Sequence, residues 1–135
     1  SIIGFASCEK KFTPPYDVKK TFNQRVSNAE DIEWDYDSED NLWEAEYRVK
    51  AREFSSKFDE NGKWLKTEKT VLFSELPEAL QEVLKTVYAD YKISELESID
   101  TPQGVFYEVD FELDSGEEET ELELLFSADG KIIQK

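Results

Sequence analysis

Carboxylates recur at every second position in three stretches of the chain: Glu44/Glu46, Glu108/Asp110/Glu112 and Glu121/Glu123. On a β-strand, alternate residues share a face about 7 Å apart. That lies within the roughly 5–10 Å that separates the two working carboxyl groups of glycosidases. Such a pair works only when one carboxyl is desolvated enough to keep its proton while the other stays charged. These carboxylates are expected on a sheet face open to water, where nothing separates their proton affinities, so no catalytic role is predicted. The chain has no His, which removes Ser-His-Asp and Cys-His chemistry and the common His-based metal sites. Its single Cys removes an internal disulfide and a thiolate zinc cluster. Two acidic segments, Asp35–Asn41 and Asp59–Gly62, offer hard oxygen donors, but neither has the ligand spacing of a calcium-binding loop. Hairpin turns favour the same residue types. No catalytic residue, metal or cofactor is therefore expected.

The charge points towards a different task. There are 32 acidic residues against 16 basic ones, a net charge of −16. Nucleic acid is excluded as a partner, because phosphate binding needs concentrated Lys and Arg, and anionic lipid is excluded on the same ground. A basic protein surface or a cation is the natural counterpart, and solubility alone is the simplest role. Apolar residues stand among these charges. Trp64 shares its strand parity with Lys66 and Glu68, Phe106 with Glu108, Asp110 and Glu112, and Leu125 with Glu121 and Glu123. If the charged residues face water, Trp64, Phe106 and Leu125 face it too. Large exposed apolar groups mark interaction sites. The expected protein-binding surface is thus Trp64, Phe106, Leu125, Glu108, Asp110, Glu112, Glu121 and Glu123. A β-bulge would instead turn an apolar residue back to the core.

At the amino end, Ser1–Cys8 reads as the tail of a secretory apolar segment. Phe5-Ala6-Ser7-Cys8 resembles the lipobox of bacterial lipoproteins, with Phe5 in place of the usual Leu. Small residues before the Cys give a signal peptidase access to the backbone. Cys8 is the predicted lipid attachment site, and residues 1–14 are read as a signal remnant and tether. No run of the sequence approaches the roughly 20 apolar residues of a membrane span.

The elements that must position these residues come in two similar sets. With 39% hydrophobic residues, including nine Phe, six Tyr and three Trp, the chain can build a packed core in one compact unit. Pro15 heads a helix whose stripe is Val18, Phe22 and Val26. The period then switches to two: Ile32, Trp34 and Tyr36, then Trp43, Ala45, Tyr47 and Val49. Phe54 and Phe58 lead to the turn Asp59-Glu60-Asn61-Gly62, and a fourth strand runs from about Lys63 to Thr70. Pro77 heads a second helix with Leu80, Val83, Leu84, Val87 and Tyr88. Strands follow around Ile93–Ile99, Val105–Leu113, Leu122–Phe126 and Lys131–Lys135. Trp43-Glu44-Ala45-Glu46-Tyr47 is echoed by Tyr107-Glu108-Val109-Asp110-Phe111, and Phe58–Leu65 by Phe126–Ile133. The expected fold is α+β, a tandem repeat of helix plus four-stranded antiparallel sheet with the helices packed on one face. The first repeat is placed at 15–73 and the second at 74–135, together forming one compact unit.

This order resembles one family. The Pro-headed helix, the aromatic-acidic strand Trp43–Tyr47, Phe58-Asp59-Glu60-Asn61-Gly62-Lys63-Trp64-Leu65 and Ser74-Glu75-Leu76-Pro77 are similar to the PepSY-like, beta-lactamase-inhibitor-like proteins of Bacteroides-type bacteria. The resemblance spans about residues 14–135. It implies a secreted or lipid-anchored periplasmic protein, with related folds binding enzymes through a sheet face, and it supplies no catalytic residues. Ile132 stands where the first copy has Trp64. Together these readings predict a non-enzymatic cell-envelope module that binds a protein partner, basic in character, through its acidic sheet face. Inhibition of an enzyme is one such role. A structural or ligand-sensing envelope domain is the alternative.

Overall fold

A computed structural model describes residues 12–115 and 118–134. The elements are α1 (Tyr16–Arg25), β1 (Glu30–Asp37), β2 (Leu42–Val49), β3 (Arg52–Asp59) and β4 (Trp64–Thr70), then a 3₁₀ turn at Phe73–Glu75. The second set is α2 (Glu78–Thr86), β5 (Lys92–Thr101), β6 (Gly104–Ser115), β7 (Glu118–Phe126) and β8 (Ile132–Gln134).

The expectation of a tandem repeat of helix plus four-stranded antiparallel sheet is corrected. The strands form one eight-stranded sheet in the order β1-β2-β3-β4-β5-β6-β7-β8. A four-stranded repeat standing alone would leave a long row of unpaired backbone groups at its last strand. Here the ladder continues past β4, where the Val71 amide donates to the Leu96 carbonyl at 3.0 Å. The chain divides between Lys69 and Thr70 into two compact units.

In the first unit, Pro15 precedes α1, and Asp17 and Arg25 sit in its first and last turns, where they complement the helix dipole. Val18 and Phe22, one turn apart, are buried against Trp43, Ala45, Tyr47 and Phe58. Phe22 meets Trp34 and Tyr47 edge-on, with ring centroids 5.2 and 5.1 Å apart. The strict alternation of β2 matches its burial: Trp43, Ala45 and Tyr47 point to the helix. The buried Tyr47 hydroxyl is 2.8 Å from Ser56 Oγ, which is 2.8 Å from Thr67 Oγ1. One alternation fails. Ile32 is 43% exposed, because the β1–β2 register shifts between Glu30 and Glu33 and Asp31 adopts φ 53°.

The Asp59–Gly62 segment is a turn that locks the β3–β4 hairpin to α1. Asp59 Oδ1 accepts from the amides of Asn61 and Lys63, each at 2.9 Å. Gly62 has φ +88°, and a Cβ there would lie 2.5 Å from the Asp17 carbonyl oxygen. Likewise, Asp37 Oδ1 accepts from the Glu39 and Asp40 amides. Both acidic segments thus spend carboxylate oxygens on their own backbone.

In the second unit, Leu76, Leu80 and Leu84 pack on Val109, Phe111, Leu124 and Phe126. Tyr88 stacks on Phe111 at 5.1 Å. Gln81 Nε2 donates to the Leu76 carbonyl at 2.8 Å, tying the entry of α2 to its body. The last hairpin again meets the helix through a glycine: a Cβ at Gly130 would lie 2.7 Å from Val83 Cγ2.

Candidate functional site

In each unit the strands turn their apolar residues to one helix and their charged residues to the opposite face. In the second unit that opposite face is built by β5, β6 and β7. Direct cross-strand pairs there are Glu97↔Glu108, Glu95↔Asp110, Asp110↔Glu123 and Glu112↔Glu121. Residues directly opposite on an antiparallel pair bring their Cβ atoms to about 5 Å, and like charges so placed destabilise the sheet. One cation relieves part of the repulsion, since Lys92 Nζ lies 3.1 Å from Glu112 Oε2. Two groups of carboxylates, Glu95/Glu97/Asp110 and Glu108/Asp110/Glu123, hold ligand oxygens within 4.8 Å of one another. These are the residues that could hold a hard cation such as calcium, which takes carboxylate oxygens.

The electrostatic cost appears in proton affinity. Asp110 is 2% exposed. Burial pushes its carboxyl up to about 8, and the charge of Glu108 and the nearby Glu123 add to the shift. Burial also raises Glu95, against a hydrogen bond with Asp110 that lowers it. A second acidic patch lies on β1 and β2 of the first unit. There Glu33↔Glu46 and Asp35↔Glu44 are direct pairs. Burial pushes Glu46 up to about 7, with Glu44, Glu33, Asp35 and Glu53 adding repulsion. On the same unit Glu68 is buried and pairs with Lys66 at 2.7 Å.

The residues expected at a binding surface divide in two. Phe106, Glu108, Asp110 and Glu112 on β6 share the acidic face with Glu121, Glu123 and Leu125 on β7. The register places Glu108 opposite Leu125 and Phe106 opposite Ile99. Glu121 and Glu123 are exposed, Phe106, Glu108, Glu112 and Leu125 are half-buried, and Asp110 is buried rather than open to water.

Trp64 belongs elsewhere. Lys57 pairs with Lys66 but Phe58 pairs with Trp64, so a bulge at Leu65 breaks the parity with Lys66 and Glu68. Trp64 therefore lies on the Phe58 side and packs on the helix-covered core. The Arg25 guanidinium covers its ring at 3.4 Å, and its Nε1 donates to Thr67 Oγ1 at 2.8 Å. The expectation of a solvent-facing Trp64 is corrected. Cys8 lies outside the described residues.

Comparison with known proteins gives this arrangement a context. The family model "Putative beta-lactamase-inhibitor-like, PepSY-like" matches residues 45–134. The chain belongs to this family. Solved structures share its fold. A BLIP-like protein from Bacteroides fragilis is 20% identical, with a TM-score of 0.77 over 91% of this chain and 85% of that one. A DUF2874 family protein from Bacteroides uniformis is 18% identical, with a TM-score of 0.80 over 90% and 88%. A "putative periplasmic" protein from Bacteroides eggerthii is 13% identical, with a TM-score of 0.79 over 91% and 88%. None of the curated proteins matches the chain.

The sequence reading did not single out Glu95 or Glu97, and it placed Glu46 in a carboxylate pair without foreseeing its raised proton affinity. The alternation Glu95-Leu96-Glu97 was the available signal for the first two, since it sets both carboxylates on the face away from Leu96. Their closeness to Asp110 depends on strand register, which a single strand does not encode.

Proposed function

We propose that the chain is a non-enzymatic protein-binding module of the cell envelope, and that it docks a basic partner on the acidic face of β6 and β7. The observation that carries this reading is the row of acidic cross-strand pairs beside half-buried Phe106 and Leu125. Where both members are charged, such pairs oppose stability. A cationic partner surface offsets their repulsion, and apolar anchors ringed by charge combine affinity with steering. The family's likeness to beta-lactamase inhibitors and the BLIP-like neighbour support an inhibitor-like role, with an enzyme as the bound partner. The "putative periplasmic" neighbour supports the envelope as its location, and Phe5-Ala6-Ser7-Cys8 supports lipid attachment there.

The test is affinity capture from a Bacteroides envelope extract, with the retained protein identified by mass spectrometry and then titrated in purified form. Wild-type chain should retain it, and the Glu121→Lys/Glu123→Lys variant should not. Equal retention by the two would remove the acidic face from the account.

A further inference from the structure

The acidic face ends at a strand whose outer side is largely open. β7 spans Glu118–Phe126. On its inner side it pairs with β6 along its whole length, from Phe126↔Tyr107 to Glu118↔Ser115. On its outer side, among the described residues, it pairs only at Leu125 and Phe126, with the short β8. Among the described residues, no strand pairs with the outer side of 118–124, which leaves a row of backbone amides and carbonyls there. Exposed backbone of this kind is a template for another strand.

The side chains along that row define what fits. Thr120, Glu121 and Glu123 are exposed, while Leu122 packs against the helix-covered core and Leu124 is part of it. A strand laid beside β7 would set alternate residues opposite Glu121 and Glu123, and the others beside Leu122 and Leu124. We infer that β7 takes up an extended segment of a partner in which Lys or Arg alternates with apolar residues, added antiparallel as the next strand. A second copy of this chain is disfavoured by charge. The other sheet edge, β1, exposes Glu30, Asp31, Glu33, Asp35 and Asp37, so edge-to-edge pairing of copies would set acid against acid. The inference rests on the acidic face being a docking surface, and adds the backbone edge as the means of docking.

The experiment uses the full chain and a fluorescent, blocked peptide Lys-Val-Lys-Val-Lys-Val-Lys. Two further versions are N-methylated at alternate residues, one in each register, so that charge and side chains stay the same while backbone donors are lost. Anisotropy reads affinity, and amide hydrogen exchange reads the site. The parent peptide should bind and slow exchange in residues 120–124. One N-methylated register should bind about tenfold more weakly or worse, as should the parent peptide to Glu121→Lys/Glu123→Lys. Equal binding of all three peptides, or unchanged exchange at 120–124, overturns strand addition while leaving the acidic-face reading intact. Absence of parent binding, or dimer formation in its place, overturns the inference as well. The acidic-face reading itself is tested apart from the peptide, by whether charge reversal on β7 leaves the native partner bound.

Discussion

At the scale of single residues, two aromatic positions with similar surroundings in the sequence have different roles. Trp64 is held under Arg25 and against the first core, so Trp64→Ala should destabilise the fold by about 2 kcal/mol, less than a fully buried Trp would cost. Phe106 stands on the acidic face, and Phe106→Ala should lower partner affinity more than it lowers Tm. Thermal denaturation of the two variants side by side checks the contrast. Equal loss of Tm would mean that Phe106 is a core residue. The hairpin glycines also differ. Gly62→Ala meets backbone at the Asp17 carbonyl, whereas Gly130→Ala first meets a movable methyl of Val83. Both positions have positive φ. Gly62→Ala should cost about 2 kcal/mol or more and Gly130→Ala less, read from denaturant unfolding. The reverse order would contradict the backbone contact. The motif Phe58–Leu65, one of the segments that carry the family resemblance, is thus the clamp between a hairpin and its helix.

At the scale of elements, the like-charged strand pairs tie stability to pH. The Glu46 carboxyl rises from an ordinary 4.5 to about 7 in the fold, and that of Asp110 from 3.8 to about 8. Between the ordinary and raised values, the folded chain holds a proton that the unfolded chain has released. Stability from these groups is therefore present at low pH and lost as pH rises through about 7 and about 8. After allowance for solvent screening, each contributes on the order of 1 kcal/mol. Tm should fall between about pH 5 and pH 8, and Glu46→Gln should flatten the part of that fall below about pH 7 and raise Tm above it. A Tm that climbs over this range would contradict the shifts. Element identity was legible in the sequence: the stripe Val18/Phe22 and the alternation Trp43/Ala45/Tyr47 each named their element and buried side. Register was not. The bulge at Leu65 inverted the expected side of Trp64, and the shift between Glu30 and Glu33 exposed Ile32. A bulge adds a residue without changing the local pattern, so alternation alone places residues beyond it on the wrong face. The single sheet was also hidden, because a helix between two sets of strands reads alike whether the ladder stops or continues.

At the scale of the whole molecule, the net charge of −16 would steer any cationic protein towards the chain, so loss of binding in a charge-reversed variant needs a control of equal charge. Among the described residues no helix is long and apolar enough to cross a membrane. Attachment to the envelope is proposed through Cys8. Mass spectrometry of the protein from its native host should find a lipid thioether on Cys8, and an unmodified Cys8 still joined to Ser7 would rule it out. A basic partner is proposed to dock on the acidic face of β6 and β7. The most direct measurement is a titration of the purified partner at rising salt against wild type, Glu121→Lys/Glu123→Lys, and Glu39→Lys/Asp40→Lys in the exposed β1–β2 turn. Binding should weaken with salt in wild type, drop about tenfold or more in the β7 variant, and change little in the turn variant. Equal losses in the two variants would show that only total charge matters, and would contradict a binding face on these strands.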